Sequence, residues 1–192
     1  MRLLLGSLFA LIVAAAVGLG ATYFALTRGA AFGPLTIGSW TAWPKTGTAD
    51  ADPYARASIA RIGRLPTALG DGVAFTAQAD DNGRLLDGRC NVILSGVTPV
   101  ARFWTLTLYN LDGELVANSI NRSGFTSQEI VRHADGAFEI DVMPRANSGN
   151  WLPTGGVERY VLVLRLYDTA VGVSTKAGRE VPMPAIKTRS CR

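Results

Sequence analysis

The sequence predicts a mainly β fold: an antiparallel, jelly-roll-like β-sandwich with one short helix, preceded by a single N-terminal transmembrane helix. Three observations predict it. From Gly70-Asp71-Gly72 onward, apolar residues recur with a period of two, and no helical period of any length interrupts them. Turn signals (Asp81-Asn82-Gly83, Thr98-Pro99, Asp112-Gly113, Asp135-Gly136) punctuate that pattern at the spacing of short strands. The stretch 160–168 is apolar on both faces except at Arg165, as a strand covered by two layers is. Strands that follow one another without intervening helices stack as antiparallel sheets and do not build βαβ units.

At the N-terminus, residues 3–26 carry no charge and are rich in Leu, Ala, Val and Phe. As a helix they extend roughly 36 Å, enough to cross a bilayer. A cleaved secretory signal is the rival, but its apolar core normally runs about 7–15 residues. Here the run is longer, and Tyr23 and Phe24 stand near its outer end as interfacial aromatics do. Residues 1–28 are therefore read as a membrane anchor. Residues 29–50, rich in Gly, Thr and Pro, are read as a linker that becomes a docking arm. Its Trp40 and Trp43 either pack on the domain, the preferred reading, or lie on the membrane surface as an exposed apolar patch.

Residues 51–192 are expected to form the sandwich. Asp52-Pro53 supplies an N-cap followed by proline at the first helical position. Ala55, Ile59 and Ile62 then share one side of a short helix, with Arg56, Arg61 and Arg64 mostly off that stripe, until Gly63 and Pro66 stop it. Strands are expected at 73–79, 90–95, 102–109, 114–117, 138–143 and 160–168, with the clearest hairpin around Asp112-Gly113.

The net charge of +4 is spread over single arginines such as Arg84, Arg89 and Arg102. No basic stripe with interleaved aromatics is present, which argues against a nucleic-acid partner. The two cysteines, Cys90 and Cys191, have no metal-like spacing. They are either idle thiols or a disulfide fastening the C-terminal tail, and a penultimate cysteine with no core to fill favours the bond. A disulfide needs an oxidising compartment. The expected location is thus a bacterial inner membrane, single-pass, with the C-terminal domain in the periplasm.

Candidate chemistry is sparse. His133 is the only histidine, and no serine stands in a Gly-x-Ser-x-Gly elbow to use it. Glu139 and Asp141 share a face of one strand roughly 7 Å apart, not far from a glycosidase pair, although the wet face of an edge strand is the preferred reading. No phosphate-cradling glycine loop is present, and no metal or cofactor is expected. The one constellation of interest combines Trp104 and Tyr109, Asn150 and Trp151 on a corner loop, and Arg165 and Tyr167 on the central strand. It reads either as a shallow aromatic and arginine pocket for an anionic or sugar ligand, or as Arg165 pinning the corner loop through backbone carbonyls, with Trp151 as a plug.

Several of these stretches carry a resemblance. ARFWTLTLYNLDGELVAN, the NRSGFTS that holds Arg122, DGAFEIDV, and GNWLPTG followed by LVLRLYD resemble the domain of unknown function 1214 family. TAWPKTGTADADPYARASIARIG and the closing IKTRSCR resemble its short, membrane-anchored bacterial form, the likeness covering about residues 38–192. The resemblance implies a β-sandwich and an envelope location, adds Arg122 to the candidate pocket, and implies no activity. The expected function is a non-enzymatic envelope module that binds a glycan, a lipid head group or another envelope protein. The alternative is a periplasmic hydrolase acting on a glycan or envelope component with Glu139, Asp141 and His133.

Overall fold

The chain crosses from one sheet to another at Asp80-Asp81, and the architecture is clearest from that crossing. The computed structural model describes residues 2–28, 34–62, 68, 70–171 and 181–191. Among these residues, two α-helices, α1 (Arg2–Arg28) and α2 (Pro53–Ile62), and a 3-10 turn at Pro44–Gly47 accompany ten strands: β1 (Leu35–Ile37), β2 (Trp40–Ala42), β3 (Gly72–Ala77), β4 (Cys90–Gly96), β5 (Phe103–Tyr109), β6 (Gly124–Thr126), β7 (Phe138–Met143), β8 (Trp151–Pro153), β9 (Val161–Tyr167) and β10 (Ala185–Cys191). A six-stranded sheet runs β1-β2-β3-β9-β5-β6 and a four-stranded sheet β10-β4-β7-β8. The mainly β fold is as the sequence predicts, and neither sheet closes into a barrel.

β9 lies between β3 and β5, with Leu164 paired to both Phe75 and Leu106. Leu162, Leu164 and Leu166 point into the core, where Phe75, Leu106, Leu94, Ile140, Val142, Leu152 and Ile186 from both sheets meet them. A fully buried aliphatic side chain of this kind contributes about 1.5–3 kcal/mol. On the opposite face of β9, Val161 and Val163 are also buried while Arg165 and Tyr167 are half-buried. The covering on two sides thus holds for the first half of the strand and thins toward its end.

Four features differ from the sequence-based expectation. First, residues 35–42 of the expected linker are strands that extend the six-stranded sheet. Trp40 is 1% exposed, with its Nε1 donating to the Pro184 carbonyl at 2.8 Å, so it forms no exposed patch. Second, β8 runs parallel to β7. This is possible across the short connection 144–150 because β8 pairs only with Asp141–Met143 at the end of β7, so the chain has little distance to retrace. Third, residues 114–117 are not a strand. Leu115 makes a single bridge to Tyr109, closing the hairpin whose Gly113 adopts φ +83. Fourth, β7 is an inner strand, between β4 and β8, and not an edge.

The helices follow their local signals. Asp52 Oδ1 accepts from the amides of Tyr54 (2.9 Å) and Ala55 (3.1 Å), capping α2 as Asp-Pro predicts. Ala55 is buried and Ile59 partly so. The side chains of Arg61 and Ile62, the stop signal at Gly63 and Pro66, and Arg64 lie outside the described residues. In α1, the 24 residues Arg2–Ala25 have a mean hydropathy of 2.4 over their most apolar window, none of it buried, so the helix is long and apolar enough to cross a membrane.

The two sheets are stitched where β3 leaves for β4. Asp80, 3% exposed, accepts from the amides of Asn82 and Arg84. Asp81 Oδ1 accepts from Ser39 in the β1–β2 turn and its Oδ2 from the Ile186 amide in β10. At the far end of β10, Cys191 is bonded to Cys90, the residue directly across from it on β4.

Two predictions follow from these fastenings. The disulfide closes a loop of separation 101, so Cys90→Ser with Cys191→Ser lowers the unfolding free energy by about 3 kcal/mol in urea titrations of the full-length protein in neutral detergent. Reductant shifts the native protein and leaves the double variant unmoved. The second prediction concerns acid. Burial pushes Asp80 up, but hydrogen bonds from Thr188 and from the amides of Arg84 and Asn82 outweigh it and hold the carboxyl below its ordinary value. Asp87, bonded to Arg89, is held at about 2. Both titrate lower folded than unfolded, so their contribution is complete above the ordinary carboxylate value of about 4 and is lost as pH falls toward about 2. Melting temperatures recorded from pH 5 to pH 2 should fall less steeply in Asp87→Asn than in the native protein.

Candidate functional site

The residues expected to form one aromatic and arginine pocket are distributed over three places. The cause is strand parity. Trp104 and Tyr109 are five positions apart on β5, so they face opposite sides of the sheet. Trp104, 3% exposed, points into the core against Phe138, ring centroids 5.3 Å apart, with the Arg132 guanidinium 5.8 Å above the Trp104 ring.

Tyr109 lies on the outer face of the six-stranded sheet with Arg165 and Tyr167. The Arg165 guanidinium stacks 5.4 Å from the Tyr109 ring, and Tyr167 packs against Phe103 at 5.9 Å. Among the described residues no carboxylate lies in ion-pair contact with Arg165. It does not pin the corner loop. Half-buried, it keeps its charge hydrated, so the ring suffices and no buried partner is required.

The third group surrounds β8. Asn150, 8% exposed, donates to the carbonyls of Val131 and Glu139 and accepts from the Val131 amide, each at 2.8 Å. Trp151 donates from Nε1 to the Met143 carbonyl at 3.0 Å. The arginine that does hold this corner is Arg122, whose Nη1 donates to the Trp151 carbonyl at 3.0 Å while its guanidinium stacks 5.1 Å from the Phe125 ring. Asn150, Trp151 and Arg122 satisfy backbone groups that a short parallel strand would otherwise leave open.

The carboxylates of the hydrolase reading stand on β7. Glu139 is half-exposed, 3.7 Å from Arg189. Asp141 is 9% exposed; its Oδ2 accepts from Asn147 at 2.8 Å, and its Oδ1 is buried without a hydrogen-bond partner. Asp141 is therefore not on a wet face: Ile93 and Trp151 flank it in register. His133 is exposed in the turn before β7, its amide bonded to the Ala137 carbonyl. Among the described residues no three or more His, Cys, Asp or Glu side chains gather as a metal site would require.

One concavity among the described residues is built from side chains outside the aromatic and arginine constellation. A depression of about 330 Å³ is lined by Arg84, Leu85, Asp87 and Arg89, by Arg159, and by the Cys90–Cys191 disulfide. It arises because residues 84–90 run against 157–160 through an Asp87–Arg159 bridge and a bond from the Gly88 amide to the Glu158 carbonyl. The backbones are so close that a Cβ on Gly88 would strike the Val157 carbonyl, and Thr154 donates to the Gly88 carbonyl at 2.8 Å. Asp87 takes both the Nε (3.0 Å) and Nη2 (2.6 Å) of Arg89. Those bonds, then the Arg89 amide, with the charge of Arg159 adding, give the low Asp87 value. Beneath, burial and then the Asp87 charge push the Tyr160 phenol above its usual range, and its hydroxyl is buried without a partner. In sequence these arginines look like ordinary scattered surface charge. Only the local Asp87-Gly88-Arg89 pair was visible, since Arg159 is far away along the chain.

Comparison with known proteins agrees with the fold. The family described as "Protein of unknown function (DUF1214)" matches residues 71–171. The VPA0106 protein of Vibrio parahaemolyticus, known from a crystal structure, is similar at 23% identity with a TM-score of 0.57, covering 73% of this chain and 36% of its own. An uncharacterised protein from Burkholderia cenocepacia is similar at 19% identity with a TM-score of 0.43, covering 62% of this chain and 29% of its own. The chain thus spans about a third of the length of these solved structures. No curated protein matches it.

The contrast between the β8 clamp and the outer-face stack is measurable. Asn150→Ala removes three part-buried hydrogen bonds to backbone groups of Val131 and Glu139 and should cost about 2–3 kcal/mol in chemical unfolding. Arg165→Ala should cost only about 1 kcal/mol, the value of one half-exposed guanidinium–ring stack.

Proposed function

The chain belongs to the DUF1214 family of proteins of unknown function, and on that premise we propose that it is a single-pass protein of a bacterial inner membrane. Its β-sandwich stands in the periplasm as a non-enzymatic module that binds a glycan, a lipid head group or another envelope protein. One observation carries the reading: an apolar helix of membrane-spanning length lies wholly outside the core of a domain that closes on a disulfide. The most apolar window of the helix has no burial inside the protein to explain its composition, and a bilayer is the solvent that suits it. The disulfide favours the oxidising side of that bilayer for the sandwich.

The hydrolase reading through Glu139, Asp141 and His133 has less support. Asp141 is held by Asn147 and nearly sealed from solvent, Glu139 is turned toward Arg189, and His133 sits exposed on a turn. An acid and a base acting across one substrate bond need a shared opening.

Membrane fractionation tests the proposal. The full-length chain should remain in the pellet after an alkaline carbonate wash and come free only with detergent. A C-terminal alkaline phosphatase fusion should be active and a β-galactosidase fusion inactive. A soluble mature chain lacking the helix, or the opposite reporter pattern, would overturn anchoring or orientation respectively.

A further inference from the structure

We propose that the depression beside the Cys90–Cys191 disulfide is a binding site for a terminal phosphate group, free or singly esterified, seated between Arg84 and Arg159. The proposal rests on charge, concavity and rigidity together. Three guanidinium groups and one carboxylate line the hollow. Arg89 spends its charge on Asp87 in a two-nitrogen contact. Arg84 and Arg159 have no ion pair among the described residues and face the same hollow. With three guanidinium groups against one carboxylate the lining carries a net charge of about +2, Arg159 also acting on Asp87 through its charge, and this matches the −1.5 to −2 carried by a phosphate monoester near neutral pH. Guanidinium forks suit such an anion because they deliver paired N–H donors to adjacent oxygens.

The hollow is built and not incidental. Arg84 follows a turn ordered by the buried Asp80, and Arg159 is bridged at its backbone to Asp87. Arg89 is clamped, and the disulfide fixes the rim. The backbone of that frame is fixed, while the exposed Arg84 and Arg159 side chains are left to close on the ligand. Its volume of about 330 Å³ is at the small end for ligand sites, a size for a head group and not an extended polymer. The exposed Leu85 and the disulfide supply an apolar wall beside the charges. Phosphate is thus the shared chemistry, and its source is either a free phosphate or the head group of a lipid. Glu158 lies near enough to act on Arg89 but is outside the lining. The site deepens the binding-module reading by naming its ligand class, yet it stands on the sandwich alone and does not require the anchor.

The test uses full-length protein in an uncharged detergent, titrated calorimetrically with inorganic phosphate and with a water-soluble short-chain phosphatidic acid. Short-chain phosphatidylcholine serves as the control. At least one of the two phosphate monoanion-to-dianion probes should bind, with affinity falling as salt rises, and phosphatidylcholine should not. Arg84→Ala with Arg159→Ala should weaken binding at least tenfold, the matching lysine pair should restore part of it, and Arg165→Ala, on the other sheet face, should leave it unchanged. Binding of phosphatidic acid alone assigns the source to lipid; equal binding of both assigns it to the phosphate group itself. Native affinity in a folded double-alanine variant, or no binding of either probe, would overturn the site while leaving the fractionation result untouched.

Discussion

The structure depends on the pair of carboxylates at Asp80 and Asp81, where the chain leaves one sheet for the other. Asp80 is buried and closes its own turn by accepting backbone amides, so the direction of the exit is set before the next strand begins. Asp81 reaches two separate places at once, Ser39 beside β1 and β2 and Ile186 in β10. Hydrogen bonds to a charged acceptor contribute about 1.5–3 kcal/mol each when sheltered, as at Asp80, and less at the exposed Asp81. Here they also choose register, because the Asp81 amide and carboxylate take both backbone groups of Ile186. Without that staple, β10 would be aligned by its ladder with β4, by Thr188 on Asp80 and by Trp40 on the Pro184 carbonyl just before it.

Arginine serves this protein in three different ways. Arg122, Arg132 and Arg165 lie over aromatic rings, where the weakly hydrated guanidinium stacks without losing all its water. Arg89 is committed to a neighbouring carboxylate. Arg84 and Arg159 line the hollow without an ion pair among the described residues, the one carboxylate there, Asp87, being bonded to Arg89. Three lysines against sixteen arginines makes sense in this light, since a point charge on a flexible stem does the first of these jobs poorly.

The long strands were legible because six or seven alternating residues are enough to establish a period. β1, β2, β6 and β8 have three residues each, too few for any period to register, and they pair because longer neighbours hold them. β10, with its KTRS and a shift of register between Thr188 and Ser190, shows little alternation and belongs to the sheet through β4. The candidate pocket failed for a reason the sequence did contain: an odd separation between Trp104 and Tyr109 places them on opposite faces. The arginine hollow had no such signal. Its members come from segments some seventy residues apart and from the last strand, and their charge alone does not distinguish them from solvated surface.

What the sequence determined by itself is whatever depends on neighbours along the chain: an apolar helix, the Asp-Pro cap, the alternation of the long strands, and a pair of cysteines best used together. Tertiary structure decided which strands are neighbours, that β8 runs parallel to β7, which arginine meets a ring and which meets a hollow, and that Trp40 is core. The physical reason is that burial and charge compensation depend on distances through space. A side chain's local residues fix its direction from the backbone, but only the packed sheets determine what it points at.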